Sequence, residues 1–176
     1  MLDEIKRLPK KFVKGLPADV NNLSVYVVQD YDMKLLSRIV KYGIESFGEI
    51  ASSEFVIGPQ IRQGNVYILK EEDSSKILGL AILMRNWEDP NKAYLWDYSI
   101  AKKFQGMGIG LEFLKVIAED LIEQDFERMS LTVDVENAAA IKLYKDKVGF
   151  DEVLMRKNEY GKGEDRFFME LDLKEF

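Results

Sequence analysis

Three alternate glycines, Gly106, Gly108 and Gly110, constrain this chain more than any other feature. Residues 93–101 before them alternate as a β-strand does, and apolar residues after Gly110 recur at helical spacing. Glycine reaches positive φ at low cost, so the N–H groups of such a turn can point outward beside the unsatisfied donors of a helix N terminus. The strand–turn–helix unit therefore predicts a cradle for a pyrophosphate group.

Two common nucleotide-binding motifs do not fit this turn. A P-loop needs a Lys-Ser or Lys-Thr pair after its glycines, and none follows here. The dinucleotide motif GxGxxG fails because, counted from Gly106, Leu111 occupies the last glycine position. A pyrophosphate cradle of a third kind remains, with a turn that serves only packing as the other interpretation.

The chain contains no His and no Cys among its 176 residues. This composition excludes disulfides, thiolate ligands, a Cys nucleophile and a His base, and we expect no metal site. The net charge of −6 argues against a nucleic-acid partner. The longest apolar run, residues 77–84, is too short to span a membrane, and the N terminus shows no signal peptide, so we expect a cytoplasmic protein.

The hydrophobic pattern predicts an α+β domain with a mixed sheet. A short helix is expected over residues 1–14, and a second helical segment over 49–57 is expected to stop at Gly58-Pro59. The remaining predicted helices cover residues 30–47, 110–122 and 138–147. The predicted strands cover residues 23–29, 65–70, 76–85, 93–101, 128–134, 150–156 and 166–173, the last two paired around the turn at 161–163.

Two motifs together resemble the GNAT superfamily of N-acetyltransferases. The run Gln105-Gly106-Met107-Gly108-Ile109-Gly110 matches its [Arg/Gln]-x-x-Gly-x-[Gly/Ala] signature. Asn137-Ala138-Ala139-Ala140-Ile141-Lys142-Leu143-Tyr144, followed by Val148-Gly149-Phe150, resembles its Asn-x-x-Ala-x-x-Leu-Tyr element. Lys102 departs from the Pro that many members carry.

The resemblance implies a single acetyltransferase domain over residues 1–176, with residues 1–20 as an arm outside the family core. It implies a mostly antiparallel central sheet of about seven strands, flanked by about four helices and splayed between the fourth and fifth strands. It also implies acetyl-CoA as cofactor. The implied cofactor contacts are Ser99, Ile100, Ala101, Gln105, Gly106, Met107, Gly108, Ile109, Gly110, Leu111, Asn137 and Tyr144. For Asn137, a helix N-cap is an equally suitable role.

Tyr144 and Asp97 are the candidate catalytic residues. By resemblance, Tyr144 is the proton donor to the departing thiolate, and a phenol of ordinary pKa near 10 carries that proton at neutral pH. The alternative for Tyr144 is an aromatic packed in the core. Asp97 is the only carboxylate in its apolar strand and is the candidate base, since the family commonly has an acidic residue there. Its alternative is a carboxylate that is paired or faces solvent.

The acceptor is expected to be a primary amine on a peptide or a small molecule. Glu45, Glu49 and Glu54 are candidate contacts for a cation, although helices usually carry such charges as solvated surface. The tail around Tyr160 resembles the last hairpin of ribosomal-protein and other N-terminal acetyltransferases, or it is a plain surface turn. We expect a protein or peptide N-terminal amine, with a polyamine-like acceptor, a non-catalytic acetyl-CoA-binding module and a nucleotide-binding regulator as alternatives. The protein is expected to be a monomer or homodimer.

Overall fold

A computed structural model of the chain describes residues 10–16, 22–48 and 52–176. The described residues form two compact units. The first contains the residues up to Met84 together with Asp97–Val116. The second contains Arg85–Trp96 and Ile117–Phe176. The predictions for residues 1–9 and for Glu49 lie outside the described residues.

The described chain contains eight strands and four α-helices, one of which continues as a π-helix. The strands are β1 (Lys10–Gly15), β2 (Leu23–Val28), β3 (Asn65–Glu71), β4 (Gly79–Arg85), β5 (Lys92–Ile100), β6 (Arg128–Asp134), β7 (Asp151–Arg156) and β8 (Arg166–Asp172). The helices are α1 (Met33–Phe47), α2 (Glu54–Gln63), α3 (Ile109–Glu123) and α4 (Ala138–Ile141), and the π-helix covers Lys142–Val148.

The hydrogen-bonded strand order is β1-β2-β3-β4-β5-β6-β8-β7. The pairs β1–β2, β2–β3 and β3–β4 are antiparallel, as are β6–β8 and β8–β7. The pair β5–β6 is parallel and ends at Leu95 and Leu131, although both strands continue beyond these residues. This mixed, mostly antiparallel sheet confirms the predicted fold class, with one strand more than expected.

The additional strand is β1, and it corrects the helix predicted over residues 1–14 where the structure describes them. Residues 10–15 pair with β2, and a shift in register follows Phe12. The Phe12 ring lies edge-on to Tyr26, with 5.8 Å between ring centroids. Only the neighbouring strand supplies these contacts, so tertiary pairing outweighed the local helical pattern.

The second predicted helical segment is helical from Glu54 onward, but its end was predicted wrongly. Helix α2 begins at Glu54 and ends at Gln63, with Pro59 inside it, rather than stopping at Gly58-Pro59. Ile57 and Ile61 are buried one turn apart on the same face, and Gly58 is buried as well. Burial of this face outweighs the main-chain hydrogen bond that proline cannot donate.

The first unit has its hydrophobic core between helices α1 and α2 and the adjoining strands. The Asp32 carboxylate caps α1 by accepting the Leu35 N–H at 2.8 Å. The buried cluster consists of Val28, Leu35, Leu36, Ile39, Val40, Tyr42, Ile57, Ile61, Val66, Ile68, Ile77, Leu80 and Ile82. Within the described residues, no helix is long and apolar enough to cross a membrane.

Candidate active site

The glycine turn begins where β5 ends. A short 3₁₀ turn over Lys102–Phe104 follows the strand, and α3 begins at Ile109. Gly106 has φ of +77° and Gly108 has φ of +79°, values that side-chain-bearing residues reach only with strain. A Cβ added at either glycine would meet no atom within 4 Å. Glycine is therefore required at both positions by the backbone conformation rather than by lack of space.

The main-chain donors of this turn are open. Within the described residues, the N–H groups from Gly106 to Leu111 donate to no protein acceptor, and the first helical donor is Glu112, whose N–H reaches the Gly108 carbonyl at 3.2 Å. Gly106, Met107 and Gly108 are exposed. Open donors at the positive end of a helix dipole fit the oxygens of a pyrophosphate. The residues present therefore fit the phosphate portion of coenzyme A.

Gln105 differs from the rest of its motif. Its N–H donates to the Lys102 carbonyl at 3.2 Å, and its side-chain amide donates to the Ile100 carbonyl at 3.0 Å. The side-chain bond holds the turn to the end of β5, whereas the main-chain bond lies within the 3₁₀ turn. A cofactor contact by Gln105 stays a prediction, but its main-chain donor is already engaged.

A similar finding applies to Ala101. Its N–H donates to the Leu78 carbonyl at 2.9 Å, and its carbonyl accepts the Phe104 N–H at 2.8 Å. The main chain of Ala101 thus has both polar groups engaged within the protein. The strand-like pairing of Ser99, Ile100 and Ala101 with pantetheine stays a prediction, and the Ala101 main chain and the Ile100 carbonyl already have partners within the protein.

The start of α3 is fixed to β5 by Tyr98. Its hydroxyl donates to the Gly110 carbonyl, and its ring stacks on Phe113 with 5.6 Å between centroids. A Cβ at Gly110 would lie 3.4 Å from Ile100 Cγ1 and 3.5 Å from the Tyr98 hydroxyl oxygen, which is ordinary contact. These contacts hold the first helical turn, and hence its open donors, in one position.

Asp97 lies on β5, just before this turn, and is partly buried. Burial raises the pKa of its carboxyl to about 6. Within the described residues it forms no ion pair that would offset the loss of hydration. A carboxylate with this pKa is ionised at neutral pH and is a stronger base than an ordinary aspartate, which is the property required of a general base.

The two acidic candidates on the helices lie on the surface. Glu45 has 63% of its side chain exposed and lies 4.0 Å from Lys41, one helical turn away. Glu54 is exposed in the first turn of α2, where a negative charge stabilises the helix dipole. Both surroundings agree with a solvated helix surface, and acceptor binding by either residue stays a prediction.

Asn137 begins the helical segment that carries the second motif. Its side-chain oxygen accepts the Ala140 N–H at 3.1 Å, so it is the N-cap of α4. The residue is exposed, and its amide N–H groups form no hydrogen bond with the described residues. Asn137 can therefore cap the helix and donate to a ligand with different atoms.

Tyr144 lies in the π-helix that continues α4. Its carbonyl accepts the N–H groups of Gly149 at 3.0 Å and Phe150 at 2.9 Å, and Gly149 ends the segment in the left-handed conformation. The side chain is 8% exposed, and its ring lies edge-on to Phe150 at 5.6 Å. Burial raises the pKa of Tyr144 above its ordinary value, which keeps the phenol protonated. Single π-turns are frequent at functional sites.

Tyr160 lies in the β7–β8 hairpin with 62% of its surface exposed. Its hydroxyl is 3.1 Å from the Thr132 hydroxyl, which is itself 2.9 Å from the Tyr94 hydroxyl. Burial raises the pKa of Tyr94 to about 12. The Arg166 guanidinium lies 5.4 Å from the centre of the Tyr160 ring. The hairpin thus holds an exposed phenol against β6 while leaving most of its ring accessible.

The structure distributes the predicted site residues between the two units. The first carries Asp97, the end of β5 and the whole glycine turn, and the second carries Asn137, Tyr144 and Tyr160. Sequence reasoning missed Tyr42, whose hydroxyl contacts Ser99, as well as Tyr94 and Thr132. In the sequence, each of these residues is only a hydroxyl-bearing side chain within the apolar pattern of a helix or strand, and nothing distinguishes it from an ordinary core residue.

Comparison with known proteins gives consistent matches. Residues 35–150 match the model of the family described as "Acetyltransferase (GNAT) family". The chain is 30% identical over 136 residues to the [Ribosomal protein bS18]-alanine N-acetyltransferase of Haemophilus influenzae, and the match covers 74% of this chain and 90% of that protein.

Solved structures share the fold. The ribosomal-protein-S18-alanine N-acetyltransferase from Escherichia coli superimposes with a TM-score of 0.69 at 22% identity, over 85% of this chain and 94% of that one. A GNAT family acetyltransferase from Elizabethkingia anophelis with acetyl-CoA bound gives a TM-score of 0.66 at 18% identity, over 86% and 98% of the two chains.

Proposed function

This chain belongs to the acetyltransferase (GNAT) family and is an N-acetyltransferase, and we propose that it transfers acetyl from acetyl-CoA directly to a protein or peptide N-terminal amine. The observation that carries the cofactor proposal is the glycine turn. Its donors from Gly106 to Leu111 are open at the start of α3, and the positive φ of Gly106 and Gly108 is reached without strain only by glycine. A neighbour of the same fold whose structure holds acetyl-CoA supports the same ligand.

The proposed roles follow from the surroundings of each group. Bound acetyl-CoA supplies an acetyl thioester, whose C–S bond is exchanged for the C–N bond of the product. Asp97 takes the proton of the acceptor ammonium, directly or through water, because burial makes its carboxylate more basic. Tyr144 holds a phenolic proton for the departing sulfur, because burial keeps it protonated.

Direct transfer agrees with the composition of the chain. A Cys that could carry the acetyl group as a thioester is absent from the sequence, and so is a His that could act as base. The acetyl group must therefore pass to the amine in one step or through a poorer nucleophile. Deprotonation falls to a carboxylate or to water, and burial raises the pKa of the Asp97 carboxyl to about 6.

The choice of acceptor is supported by two observations. The relative from Haemophilus influenzae that spans most of this chain is named for a protein N-terminal alanine. Tyr160 presents an exposed ring on the β7–β8 hairpin, where the resemblance places contacts to an acceptor peptide. The ring, held by its hydroxyl at Thr132, offers a flat apolar surface to a peptide side chain.

The test is a screen of CoA release with matched acceptors. A peptide with a free N-terminal alanine and an internal lysine is compared with the same peptide blocked at its N terminus, and with spermidine, amino acids and an aminoglycoside. We expect release with the free peptide alone, and mass spectrometry should locate the acetyl group on the α-amine. Release with spermidine and no peptide would replace the acceptor, whereas CoA binding without release from any amine would indicate a non-catalytic module.

A further inference from the structure

The phenol of Tyr42 joins the end of β5 to the segment that precedes β4. We propose that Tyr42 is a positioning residue for acetyl-CoA: through Ser99 it holds the end of β5, from which the glycine turn starts, in the conformation that binds the cofactor. This inference rests on the proposed use of acetyl-CoA. It assigns a task in cofactor binding to a helix residue that lies outside both sequence motifs.

The hydrogen bonds around Tyr42 link separate elements of the first unit. The Ser99 hydroxyl donates to the Tyr42 hydroxyl oxygen at 3.4 Å, and the Tyr42 hydroxyl donates to the Leu78 carbonyl at 3.3 Å. Leu78 accepts a second bond at the same carbonyl from the Ala101 N–H, at 2.9 Å. Ser99 and Ala101, on either side of Ile100, are thus connected to one carbonyl oxygen.

Packing alone does not require the hydroxyl. Tyr42 is 5% exposed and lies in the apolar face of α1, within the buried cluster of that unit. A phenylalanine would fill the same space and bury no polar atom. Burial raises the pKa of Tyr42 more than the hydrogen bonds with the Ser99 and Ser46 side chains lower it, so the phenol keeps its proton for donation. The polar group is therefore explained by the bonds it makes rather than by the core it occupies.

The last two residues of β5 and the residue that follows the strand are each held by a different part of the first unit. Ser99 is bonded to α1 through Tyr42, Ile100 accepts the Gln105 side chain of the turn, and Ala101 is bonded to Leu78. This leaves the strand end ordered before any ligand arrives. A pre-ordered site loses less conformational entropy on binding, so loss of one link should weaken cofactor affinity.

The experiment measures the Kd of CoA by calorimetry for Tyr42→Phe, which removes the hydroxyl and keeps the ring. We expect Kd to rise about fivefold, the effect of one net hydrogen bond. The matched control is Tyr67→Phe. Tyr67 is fully buried in the same unit, and its hydroxyl accepts a side-chain bond from Asn65 on the same strand. The Kd of CoA for Tyr67→Phe should equal that of the unmodified protein.

Ser99→Ala provides a second variant that leaves the core of α1 intact. If Tyr42 acts through Ser99, this change should raise Kd by a similar factor, and the double variant should bind no more weakly than either single one. An unchanged Kd in Tyr42→Phe, an equal rise in Tyr67→Phe, or additive effects in the double variant would overturn the inference. Failure of the unmodified protein to bind CoA would instead overturn the proposed cofactor.

Discussion

The two motifs of this chain lie at two helix N termini. The first N–H groups have a side-chain acceptor at one of them and none among the described residues at the other. At α4, Asn137 accepts the Ala140 N–H with its own side chain, so the helix is capped from within. At α3, glycines occupy the turn, no side chain of the described residues accepts the N–H groups from Gly106 to Leu111, and residues 106–108 are exposed. The difference lies in the residue at the turn, because glycine has no side chain with which to cap.

This contrast separates a ligand-binding role from a reactive one. The open start of α3 offers several main-chain donors and a positive dipole end, which suit a pyrophosphate. The capped start of α4 is followed, seven residues later, by Tyr144 in the π-helix. Burial raises the pKa of this phenol, so it keeps its proton. We therefore expect changes at the start of α3 to alter cofactor affinity, and changes along α4 and its π-helical continuation to alter turnover or stability.

The largest effect is expected for Tyr144→Phe. Removal of the proton donor should lower kcat about a thousandfold, within the usual range for general acid catalysis, while the Kd of CoA changes little because the aromatic ring is kept. Steady-state kinetics and calorimetry on the same preparation separate the two quantities. A variant that keeps full kcat would show that Tyr144 serves only the packing against Phe150.

The next largest effect is expected for Asp97→Asn, on the strand that leads to the open helix. Loss of the base should lower kcat/KM about a hundredfold at neutral pH, because water can replace it only in part. The activity of the unmodified protein should rise with pH through an apparent pKa of about 6. This limb of the pH profile should be missing from the variant, and its persistence would remove Asp97 as the base.

Stability should respond to the same carboxyl. Because the pKa of Asp97 in the folded protein, about 6, lies above its ordinary value of 3.8, the stability from its protonated form is present below about pH 4 and is lost as pH rises through about 6. The asparagine variant lacks this loss. Between pH 4 and 7, the melting temperature of Asp97→Asn should therefore fall less than that of the unmodified protein.

A smaller effect is expected for Gly108→Ala in the open turn. An alanine at φ of +79° raises the free energy of the folded protein by about 1–2 kcal/mol. A change in φ that relieves this strain would turn the N–H groups of the turn away from the positions that suit a pyrophosphate. The Kd of CoA should rise about tenfold, the value of one charge-assisted hydrogen bond. Gly163→Ala is the matched control, since its φ of +88° and open surroundings impose a similar strain far along the chain. It should lower stability without altering Kd.

The smallest effect is expected at the cap of α4. Asn137→Ala should lower the free energy of unfolding by about 1 kcal/mol, whereas Asn137→Asp keeps the capping oxygen and should stay close to the unmodified protein. If the Asn137 amide also donates to the cofactor, both variants should bind CoA a few times more weakly. An unchanged Kd in Asn137→Asp would leave the residue with its capping role alone.

Sequence reasoning succeeded where the residue type itself determines the local conformation. The positive φ of Gly106 and Gly108, the cap at Asn137 and the turn around Gly161 are all consequences of a residue acting on its own backbone. It failed at Pro59, which lies inside α2, and over residues 10–14, which form a strand, because there the partners are distant in sequence.

For the candidate site, the same division holds. Sequence analysis identified Asp97 and Tyr144 as residue types able to accept or hold a proton, but their pKa values depend on burial that only the folded chain creates. It did not identify Tyr42, since a tyrosine in an apolar helical stripe is indistinguishable from an ordinary core residue until Ser99 is found beside its hydroxyl.

The sequence by itself thus determined the backbone of the two motifs, the family to which they point, and the absence of any His or Cys from the chemistry. Only the tertiary structure decided that β1 is a strand, that α2 continues through Pro59, and that Tyr42 and Leu78 hold the end of β5. Local preferences act between residues that the chain already joins. Desolvation and hydrogen bonds between elements arise only when folding brings distant residues together.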